Sequence, residues 1–385
     1  MIYKTYGRTG LKISSFTLGA MRIPYKEDKL SSEECCRQEQ NALAVVKRAA
    51  KLGINHIDTA RGYGNSEILV GKALREIGRE KFYLTTKIQA PTTRDDARRH
   101  VDEALEKLGV DYIDIIDVHG INNEEKLAAA TGAQGCVRGI EDAVKDGVVG
   151  FVGCSSHGSS ELIRKLIDTD RFAAVSLHYF PTYRRHAEVV DYAYKRDVGI
   201  LILSPSEKSG KLFAPTPKLS VACAPLHPIM LSHRWTLSHR GVTTLAIGPA
   251  TPDEFDLHLP AFAHEGPLIE NERAAMERWS KAEETALGDT RCTLCFKCLP
   301  CPADVAIPEV LRLRNLAKAF GMVEFGKMRY NLLGKGKDWF PGLKGDACTR
   351  CGDCLPRCPE NLAIPDLLEE THRILEGGQR ERLWE

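Results

Sequence analysis

The chain has 385 residues, of which 43% are hydrophobic and 27% are charged, and this composition excludes a chain that is disordered throughout. Its 53 Lys and Arg residues balance 52 Asp and Glu residues, so no positive field favours nucleic acid or a membrane surface as a partner. The longest apolar runs, such as Val198–Leu203, fall well short of the ~18 residues of a bilayer-spanning helix, and the first residues lack the apolar segment of a signal peptide. We therefore expect a cytoplasmic protein.

From residue 12 to about residue 258, short apolar runs alternate with amphipathic stretches. The runs predict eight strands, namely Ile13–Leu18, His56–Asp58, Phe82–Lys87, Ile113–His119, Val148–Cys154, Ala174–Leu177, Gly199–Leu203 and Thr243–Ile247. The stretches predict helices at Ser32–Leu52, Ser66–Ile77, Arg94–Leu108, Ala128–Asp146, Ser159–Ile167, Ala187–Arg196, Pro228–His239 and Pro252–Leu257. This alternation predicts parallel pairing in a closed (β/α)8 barrel, a TIM barrel of the α/β class. Tyr3–Thr5, with Gly7 and Lys12, is expected to form a small hairpin that plugs the bottom of the barrel.

The segment Pro260–Pro267 is predicted to be a linker, and Glu272–Leu287 to be a connecting helix. We therefore expect a barrel over residues 1–260, a linker and helix over residues 261–288, and a separate domain over residues 289–385. Of the 13 cysteines, 8 lie between Cys292 and Cys358. This clustering favours a metal-binding domain over a disulfide framework.

The cysteine-rich domain contains an internal repeat. Cys292–Pro300 matches Cys348–Pro356, and Cys301–Pro308 matches Cys358–Pro365, so Arg357 has no counterpart in the first copy. The repeat suggests two similar sites related by a pseudo-twofold axis. The second copy has the spacing C-x2-C-x2-C-x3-C-P, which is typical of bacterial iron–sulfur proteins. Zinc is the alternative, although structural zinc sites usually pair two separate C-x2-C knuckles.

Over about its last 95 residues, the chain resembles the two-cluster ferredoxin family through these cysteine runs. The resemblance implies a small, mainly helical, ferredoxin-like domain with two 4Fe–4S clusters. It also implies crossed ligation, with one cluster at Cys292, Cys295, Cys298 and Cys358 and the other at Cys348, Cys351, Cys354 and Cys301. The first run departs from the family pattern, because two residues rather than three precede Cys301.

Four polar residues lie at or just after the ends of predicted barrel strands: Asp58, Tyr63, Lys87 and His119. The carboxyl ends of barrel strands meet at one face, so these side chains are expected to share a pocket. A Tyr hydroxyl is a weak acid, and a neighbouring ammonium is expected to lower its pKa. The set therefore suits proton delivery to a carbonyl oxygen while a hydride reaches the carbon.

Residues 1 to about 258 resemble the aldo-keto reductase family through the motifs Tyr3–Lys12, Leu18–Met21, Gly53–Gly64, Thr85–Lys87 and Asp111–His119. In that family the matching Tyr is the general acid/base, and the matching Asp, Lys and His complete a tetrad. The resemblance thus implies these roles for Tyr63, Asp58, Lys87 and His119.

The same resemblance implies an NAD(P) site at Gly19, Ala20, Met21, Ser155, Ser156, Ser176, Ser204, Gly210, Gly248 and Thr251. The family holds the nicotinamide carboxamide with Ser-Asn after the fifth strand and Gln on the sixth, whereas Ser156 and Ser176 replace the Asn and the Gln here. The loop Ser204–Leu212 resembles the family's pyrophosphate loop, although its composition equally suits an ordinary Gly/Pro/Ser turn. The turn Gly248–Pro252, which contains Thr251, resembles the family's adenosine-phosphate turn and precedes a predicted helix whose N-terminus would favour an anion. Asp253 and Glu254 stand where the family commonly has a basic residue for a 2′-phosphate, which favours NAD over NADP.

The leading hypothesis is an oxidoreductase that reduces a small carbonyl compound or oxidises an alcohol, with Tyr63 as general acid/base and two clusters that relay electrons. Nicotinamide moves two electrons as hydride and each cluster moves one, so direct exchange needs a mediator such as a flavin. The sequence shows no flavin motif, and a flavin stays open as a cofactor. An external electron carrier is a candidate partner. The alternative hypothesis is an electron-transfer or redox-sensing subunit in which the barrel is a nucleotide-binding scaffold.

Overall fold

The computed structural model describes residues 1–23, 31–335 and 337–377, and its central feature is a closed barrel. The barrel strands are β3 (Phe16–Gly19), β4 (His56–Asp58), β5 (Tyr83–Gln89), β6 (Ile113–His119), β7 (Val149–Ser155), β8 (Ala174–Leu177), β9 (Gly199–Leu203) and β10 (Thr244–Ile247). All of them pair in parallel, and the sheet closes because β10 pairs with both β9 and β3. The predicted (β/α)8 barrel is confirmed.

Two further strands, β1 (Tyr3–Thr5) and β2 (Lys12–Ser14), form the expected antiparallel hairpin. The ring of Tyr6, which follows β1, is buried in a cluster with residues of β6, β8 and β9. A Cβ atom on Gly199 would lie 2.3 Å from the Tyr6 ring, so only glycine leaves room for the ring at the start of β9. The predicted strand Ile13–Leu18 is therefore two strands, β2 in the hairpin and β3 in the barrel, which separate at Ser15.

The helices of the described residues are α1 (Ser32–Lys51), α2 (Ser66–Ile77), α3 (Arg94–Leu108), α4 (Glu124–Thr131), α5 (Cys136–Lys145), α6 (Ser160–Asp168), α7 (Ala187–Lys195), α8 (Pro217–Cys223), α9 (Pro228–Leu237), α10 (Glu270–Leu287), α11 (Ile307–Phe320), α12 (Val323–Tyr330) and α13 (Ile364–Leu375). Two of the helix predictions were wrong. Ala128–Asp146 is two helices, α4 and α5, and Pro252–Leu257 is only a four-residue 3-10 helix, Pro252–Phe255. Within the described ranges, no helix combines the length and apolarity that a membrane crossing requires.

The interior of the barrel is polar below the strand ends. The His56 ring is hydrogen-bonded on one side to Thr17 Oγ1 and on the other to Thr85 Oγ1, each at 2.8 Å. Burial, reinforced by the charge of Lys87, lowers the pKa of His56 to about 3, so the ring is neutral. Successive residues of a strand face opposite sides, so Asp58 and Lys87, two residues beyond His56 and Thr85, share the inward face one layer higher.

The chain forms two compact units, and they do not divide it at a single point. The first unit contains residues 1–179, 186–205 and 233–267, and thus the whole barrel. The second contains residues 180–185 and 206–232 together with everything from residue 268 onward. Two segments that follow barrel strands β8 and β9 therefore belong to the same unit as α10–α13.

Candidate active site and cysteine cavities

The four residues of the predicted tetrad lie together. Lys87 Nζ, on β5, is 2.6 Å from Asp58 Oδ1 at the end of β4 and 2.7 Å from the main-chain oxygen of Thr59. The same nitrogen lies 5.0 Å from the centre of the Tyr63 ring. That ring meets the His119 ring edge to face, with 5.9 Å between the ring centres. Residues from three different strands and one loop thus converge, as their positions at strand ends predict.

Lys87 is charged in this site. Its side chain is 1% exposed and that of Asp58 is 4% exposed. Burial alone would lower the pKa of Lys87, but the negative charge of Asp58, with smaller contributions from Tyr63 and Asp117, raises it above the ordinary value. The ammonium therefore stays protonated near neutral pH, and it places a fixed positive charge beside the Tyr63 ring.

The expected lowering of the pKa of Tyr63 was wrong in its net direction. Burial raises the pKa of the Tyr63 hydroxyl, and Asp58 raises it further, whereas the charge and hydrogen bond of Lys87 lower it. Lys87 thus acts in the predicted sense, but the loss of solvation is the larger effect. The hydroxyl consequently holds its proton near neutral pH, which is the state needed for a proton donor in carbonyl reduction.

His119, at the end of β6, is neutral in this site. Burial lowers the pKa of its ring to about 3, and the positive charge of Lys87 lowers it further. A neutral imidazole has one donor and one acceptor nitrogen, so the ring is able to donate a hydrogen bond to a carbonyl oxygen without transferring a proton to it. The edge-to-face contact with Tyr63 fixes where that donor lies.

Sequence reasoning missed Asp117, which is the second acid beside Lys87. Asp117 is 2% exposed, its Cα pairs with that of Lys87 across β5 and β6, and its Oδ2 accepts a hydrogen bond of 3.2 Å from Ser176 Oγ. A Cβ atom on Gly153, the partner of Asp117 on β7, would lie 2.1 Å from Asp117 Oδ1, so glycine makes room for the carboxyl. The available signal was the two-residue alternation along β6, which puts Asp117 on the same face as His119.

The three predicted carboxamide contacts are buried hydroxyls that already have partners within the chain. Ser155 Oγ accepts from the Gly120 N–H at 2.9 Å. Ser156 Oγ donates to the Ile121 oxygen at 2.6 Å, and Ser176 Oγ donates to Asp117. The hydroxyl protons of Ser156 and Ser176 are thus directed to chain oxygens, so a nicotinamide carboxamide would have to compete for them. Ser155, which only accepts in this arrangement, fits such a group best.

The turn assigned to the adenosine phosphate begins at Gly248 and carries its own carboxylate. Glu254 forms a two-pronged ion pair with Arg22, at 2.6 and 3.1 Å, and Glu254 Oε2 accepts from the Ala250 N–H at 2.9 Å. Arg22 also donates to the Gly248 oxygen at 3.0 Å. Thr251 precedes the short 3-10 helix and not the predicted helix. The donors at this turn are therefore occupied by Glu254.

The remaining predicted cofactor residues are distributed over both units. Gly19 ends β3, Ala20 and Met21 open a 3-10 helix immediately after it, and Ser204 follows β9. Met21 is 43% exposed, and Ser204 is also exposed. Gly210, by contrast, lies in the 3-10 helix Lys208–Phe213 of the second unit.

The start of that 3-10 helix is tied to α11 by buried charges. Glu207 Oε1 is 3.0 Å from a guanidinium nitrogen of Arg312, and the two side chains are 0% and 2% exposed. Arg312 also pairs with Glu309 at 2.9 Å. The segment that the family uses as a pyrophosphate loop is thus anchored in the second unit here.

The eight clustered cysteines line two cavities in the second unit. One cavity has Cys292, Cys295, Cys298 and Cys358 in its wall. The other has Cys301, Cys348, Cys351 and Cys354 in its wall. Each cavity thus combines three cysteines of one run with the fourth of the other, which is the arrangement that crossed ligation requires. Four soft thiolates around one small cavity suit an iron–sulfur cluster.

Comparison with known proteins finds two family models along the chain. A model of the aldo/keto reductase family matches residues 17–213, and a model of the 4Fe-4S dicluster domain matches residues 291–363. The first match covers the barrel strands β3 to β9, and the second covers all eight clustered cysteines.

Individual relatives share about a quarter to a third of their residues with this chain, over part of its length. The chain is 32% identical over 174 residues to a protein named as a voltage-gated potassium channel subunit beta of Schizosaccharomyces pombe, covering 42% of this chain and 46% of that protein. It is 26% identical over 237 residues to an uncharacterized oxidoreductase of Bacillus subtilis, covering 55% and 68%. The chain thus spans less than half of the first relative and about two thirds of the second. An aldo-keto reductase structure from Bacillus halodurans, in its holo form, has the same fold, with a TM-score of 0.59, 21% identity and coverage of 72% and 96%.

Asp117 predicts a specific dependence of stability on pH. Burial and the charge of Asp58 raise the pKa of Asp117 to about 7, against the opposing effect of Lys87. The folded protein therefore binds a proton there that the unfolded chain has released, and this stabilisation is lost as the pH rises through about 7. Since one pKa unit is worth about 1.4 kcal/mol, we expect Asp117 to lower the free energy of unfolding by about 2–3 kcal/mol between pH 5 and pH 8. In Asp117→Asn this decrease should be absent. Urea unfolding at both pH values measures this change.

The matched control for this experiment is Asp111→Asn, which removes an exposed carboxylate just before the same strand. It should leave the fall intact. An Asp117→Asn variant with the same pH dependence as the unchanged protein would contradict the assignment.

Proposed function

Because the chain belongs to the aldo/keto reductase family and carries a 4Fe-4S dicluster domain, we propose that it interconverts a small carbonyl compound and the corresponding alcohol, with Tyr63 as the proton donor and acceptor. One observation carries the proposal. The buried ammonium of Lys87, bonded to Asp58 at 2.6 Å, lies 5.0 Å from the centre of the Tyr63 ring. A structural ion pair needs no phenol beside it, whereas a proton donor needs the charge that stabilises its phenolate.

Each residue of the tetrad has a defined part in the reduction. The neutral His119 ring donates a hydrogen bond to the substrate carbonyl oxygen and orients it toward Tyr63. The Tyr63 hydroxyl gives its proton to that oxygen as a hydride reaches the carbon, so that the carbonyl becomes an alcohol. The phenolate left on Tyr63 is stabilised by Lys87, and Asp58 keeps the ammonium charged and in position. Alcohol oxidation uses the same groups in reverse.

We propose a nicotinamide nucleotide as the hydride source, and NAD in preference to NADP. When bound, the nicotinamide ring supplies or accepts the hydride. Ser155 is the hydroxyl that fits the carboxamide best, with Ser156 and Ser176 available only if their present hydrogen bonds break. The preference for NAD rests on Glu254, whose carboxylate already occupies Arg22 and the Ala250 N–H. A 2′-phosphate at this turn would meet the Glu254 carboxylate, which already pairs with the one basic side chain described there, Arg22.

We further propose that the two clusters relay single electrons to or from an external carrier, and that each is held by the four cysteines of one cavity. Because free thiolates persist in the cytoplasm whereas oxidising compartments favour disulfides, the proposed ligation by eight cysteines favours a cytoplasmic protein.

A second candidate function comes from the relatives named as channel subunits. In that case the barrel would be a regulatory or redox-sensing scaffold that binds a nucleotide without turnover. The geometry of the tetrad favours the enzyme, because a scaffold has no need of a phenol, an ammonium and a neutral imidazole in contact. Turnover separates the two candidates.

Replacement of Tyr63 is the direct test of the proton donor. We expect Tyr63→Phe to lower kcat for reduction of a panel of small aldehydes and ketones by about 10²–10⁴-fold, the usual contribution of general acid catalysis. Nucleotide binding, followed by fluorescence quenching, should change little. Tyr83→Phe, at the opposite end of β5 from Lys87, is the control and should retain the activity. Equal turnover by Tyr63→Phe and the unchanged protein would remove the proposed acid.

The cysteine assignment predicts metal content and a pattern of double variants. Anaerobically purified protein should contain about eight irons and about eight sulfides per chain. Cys292→Ser with Cys358→Ser should remove one cluster, about half of the iron, because both residues line the same cavity. Cys348→Ser with Cys358→Ser should remove both, because these residues line different cavities.

Cys36→Ser, which changes an exposed cysteine on α1, is the control and should keep all of the iron. Loss of a single cluster from the Cys348 and Cys358 double variant would show that the ligation is not crossed. Stoichiometric zinc without sulfide would exclude the clusters.

The Glu254 carboxylate predicts the nucleotide preference. We expect kcat/KM to be higher with NADH than with NADPH, and Glu254→Gln to narrow that ratio about tenfold, the equivalent of about 1.4 kcal/mol. Asp253→Asn removes the same charge from an exposed neighbour and should change the ratio much less. A preference for NADPH in the unchanged protein would contradict the role assigned to Glu254.

A further inference from the structure

The two cysteine cavities come from duplicated segments, but their charged residues differ. Among the described residues, the wall of the Cys292 cavity contains one charged side chain other than cysteine, Glu360. The wall of the Cys348 cavity likewise contains one, Arg357. A duplication that kept eight cysteines thus placed opposite charges at its two sites.

Glu360 occupies a position where the repeat has no charge. It follows Cys358 and Pro359, and its counterpart after Cys301 and Pro302 is Ala303, which lines the other cavity. Glu360 is exposed, and its Oε1 accepts a hydrogen bond of 3.3 Å from Thr293 Oγ1, next to Cys292. The carboxylate is therefore held beside the first run of cysteines, although water screens part of its charge.

Arg357 is the one residue in the second copy of the repeat without a counterpart in the first. Its Nε donates to the main-chain oxygen of Asp353 at 2.8 Å, and a terminal nitrogen donates to that of Pro300 at 2.9 Å. Within the described ranges, no carboxylate pairs with the guanidinium. Its position is thus fixed by neutral oxygens from both copies, and its positive charge is not cancelled.

We propose that Arg357 and Glu360 separate the reduction potentials of the two clusters, and that the cluster of Cys301, Cys348, Cys351 and Cys354 has the higher potential. Reduction adds one electron, and so one negative charge, to a cluster. A nearby guanidinium stabilises the reduced form, whereas a nearby carboxylate destabilises it. Each electron is supplied singly by the external reductant and settles first on the cluster beside Arg357. The inference rests on the proposed assignment of the eight cysteines.

Three further charges of the repeat act against this order, because Lys297 lies in the run of the Cys292 cavity whereas Asp304 and Asp353 lie in the segments of the Cys348 cavity. None of these three side chains lines either cavity wall, so Arg357 and Glu360 are the charges closest to the two sites.

Arg350, between Cys348 and Cys351, acts on the Cys348 cavity in the same sense as Arg357, but it is exposed and pairs with Asp366 and Glu369, which weakens its effect. Arg185 stacks on Phe296 at 3.8 Å, and Phe296 lines the Cys292 cavity. The Phe296 ring therefore stands between this guanidinium and the cavity, and Arg185 opposes Glu360 only from outside the wall.

The test is an anaerobic potentiometric titration of the full chain, followed by electron paramagnetic resonance. We expect two midpoints in the unchanged protein. Arg357→Gln should lower the higher midpoint potential by about 59 mV. For one electron, this shift corresponds to a tenfold decrease in the equilibrium constant for electron uptake. Glu360→Gln should raise the lower midpoint by a smaller amount, because Glu360 is more exposed. The Cys292 and Cys358 double variant, which retains only the second cluster, assigns its signal.

Two further variants make the outcome decisive. Arg357→Lys keeps the charge and should keep the higher midpoint near its original value, which separates charge from loss of local structure. Arg350→Gln removes a charge that is exposed and already paired, and it should lower the higher midpoint much less than Arg357→Gln does. If both clusters are intact and Arg357→Gln shifts neither midpoint, or shifts it no more than Arg350→Gln does, this inference alone is overturned. Absence of iron and sulfide would overturn the cysteine assignment and this inference with it.

Discussion

The site in the barrel depends on one buried ion pair, that of Lys87 on β5 with Asp58 at the end of β4. A buried ammonium without a partner would lose its proton, and a buried carboxylate without one would gain a proton. Together they keep a full positive charge inside the barrel, fixed between two strands of a closed sheet. Tyr63, His119 and Asp117 each take their protonation state from this charge and from burial. The ion pair therefore sets the protonation states that distinguish this site from the rest of the polar barrel interior.

The same balance explains why burial, and not Lys87, decides the resting state of Tyr63. The ammonium lowers the pKa of the hydroxyl, but the low-dielectric surroundings raise it more. An acid that keeps its proton until a carbonyl oxygen develops negative charge suits reduction. In the proposed reaction, Lys87 acts chiefly on the phenolate of Tyr63 and little on the resting hydroxyl.

The sequence predicted the barrel well because eight apolar runs separated by amphipathic stretches leave few other folds. It failed where local geometry overrides periodicity. The strand predicted over Ile13–Leu18 separates at Ser15 because its first half pairs in the hairpin and its second half in the barrel. The helix predicted over Ala128–Asp146 is interrupted between Thr131 and Cys136, where glycines at positions 132 and 135 leave room for close approach of the α4 backbone. Neither break is visible in apolar spacing alone.

In the candidate site, the sequence motifs predicted which residues form the tetrad, but they did not predict the hydrogen bonds around the expected cofactor residues. Ser156 and Ser176 were placed by resemblance, yet their hydroxyls bond to Ile121 and Asp117, partners that become neighbours only when β6, β7 and β8 pair side by side.

The segment after β9 shows the same limit and has a consequence for nucleotide binding. Glu207 and Arg312 are 105 residues apart, and their buried ion pair anchors the start of the expected pyrophosphate loop to α11. Removing either partner would leave a buried charge unpaired, so this anchor is costly to break. In the proposed nucleotide site, Ser155, the residues after β3 and the turn at Gly248 are the contacts that the barrel itself offers a dinucleotide. Because Glu254 already occupies the donors of that turn, the proposed preference for NAD rests on exclusion of a phosphate more than on attraction of one.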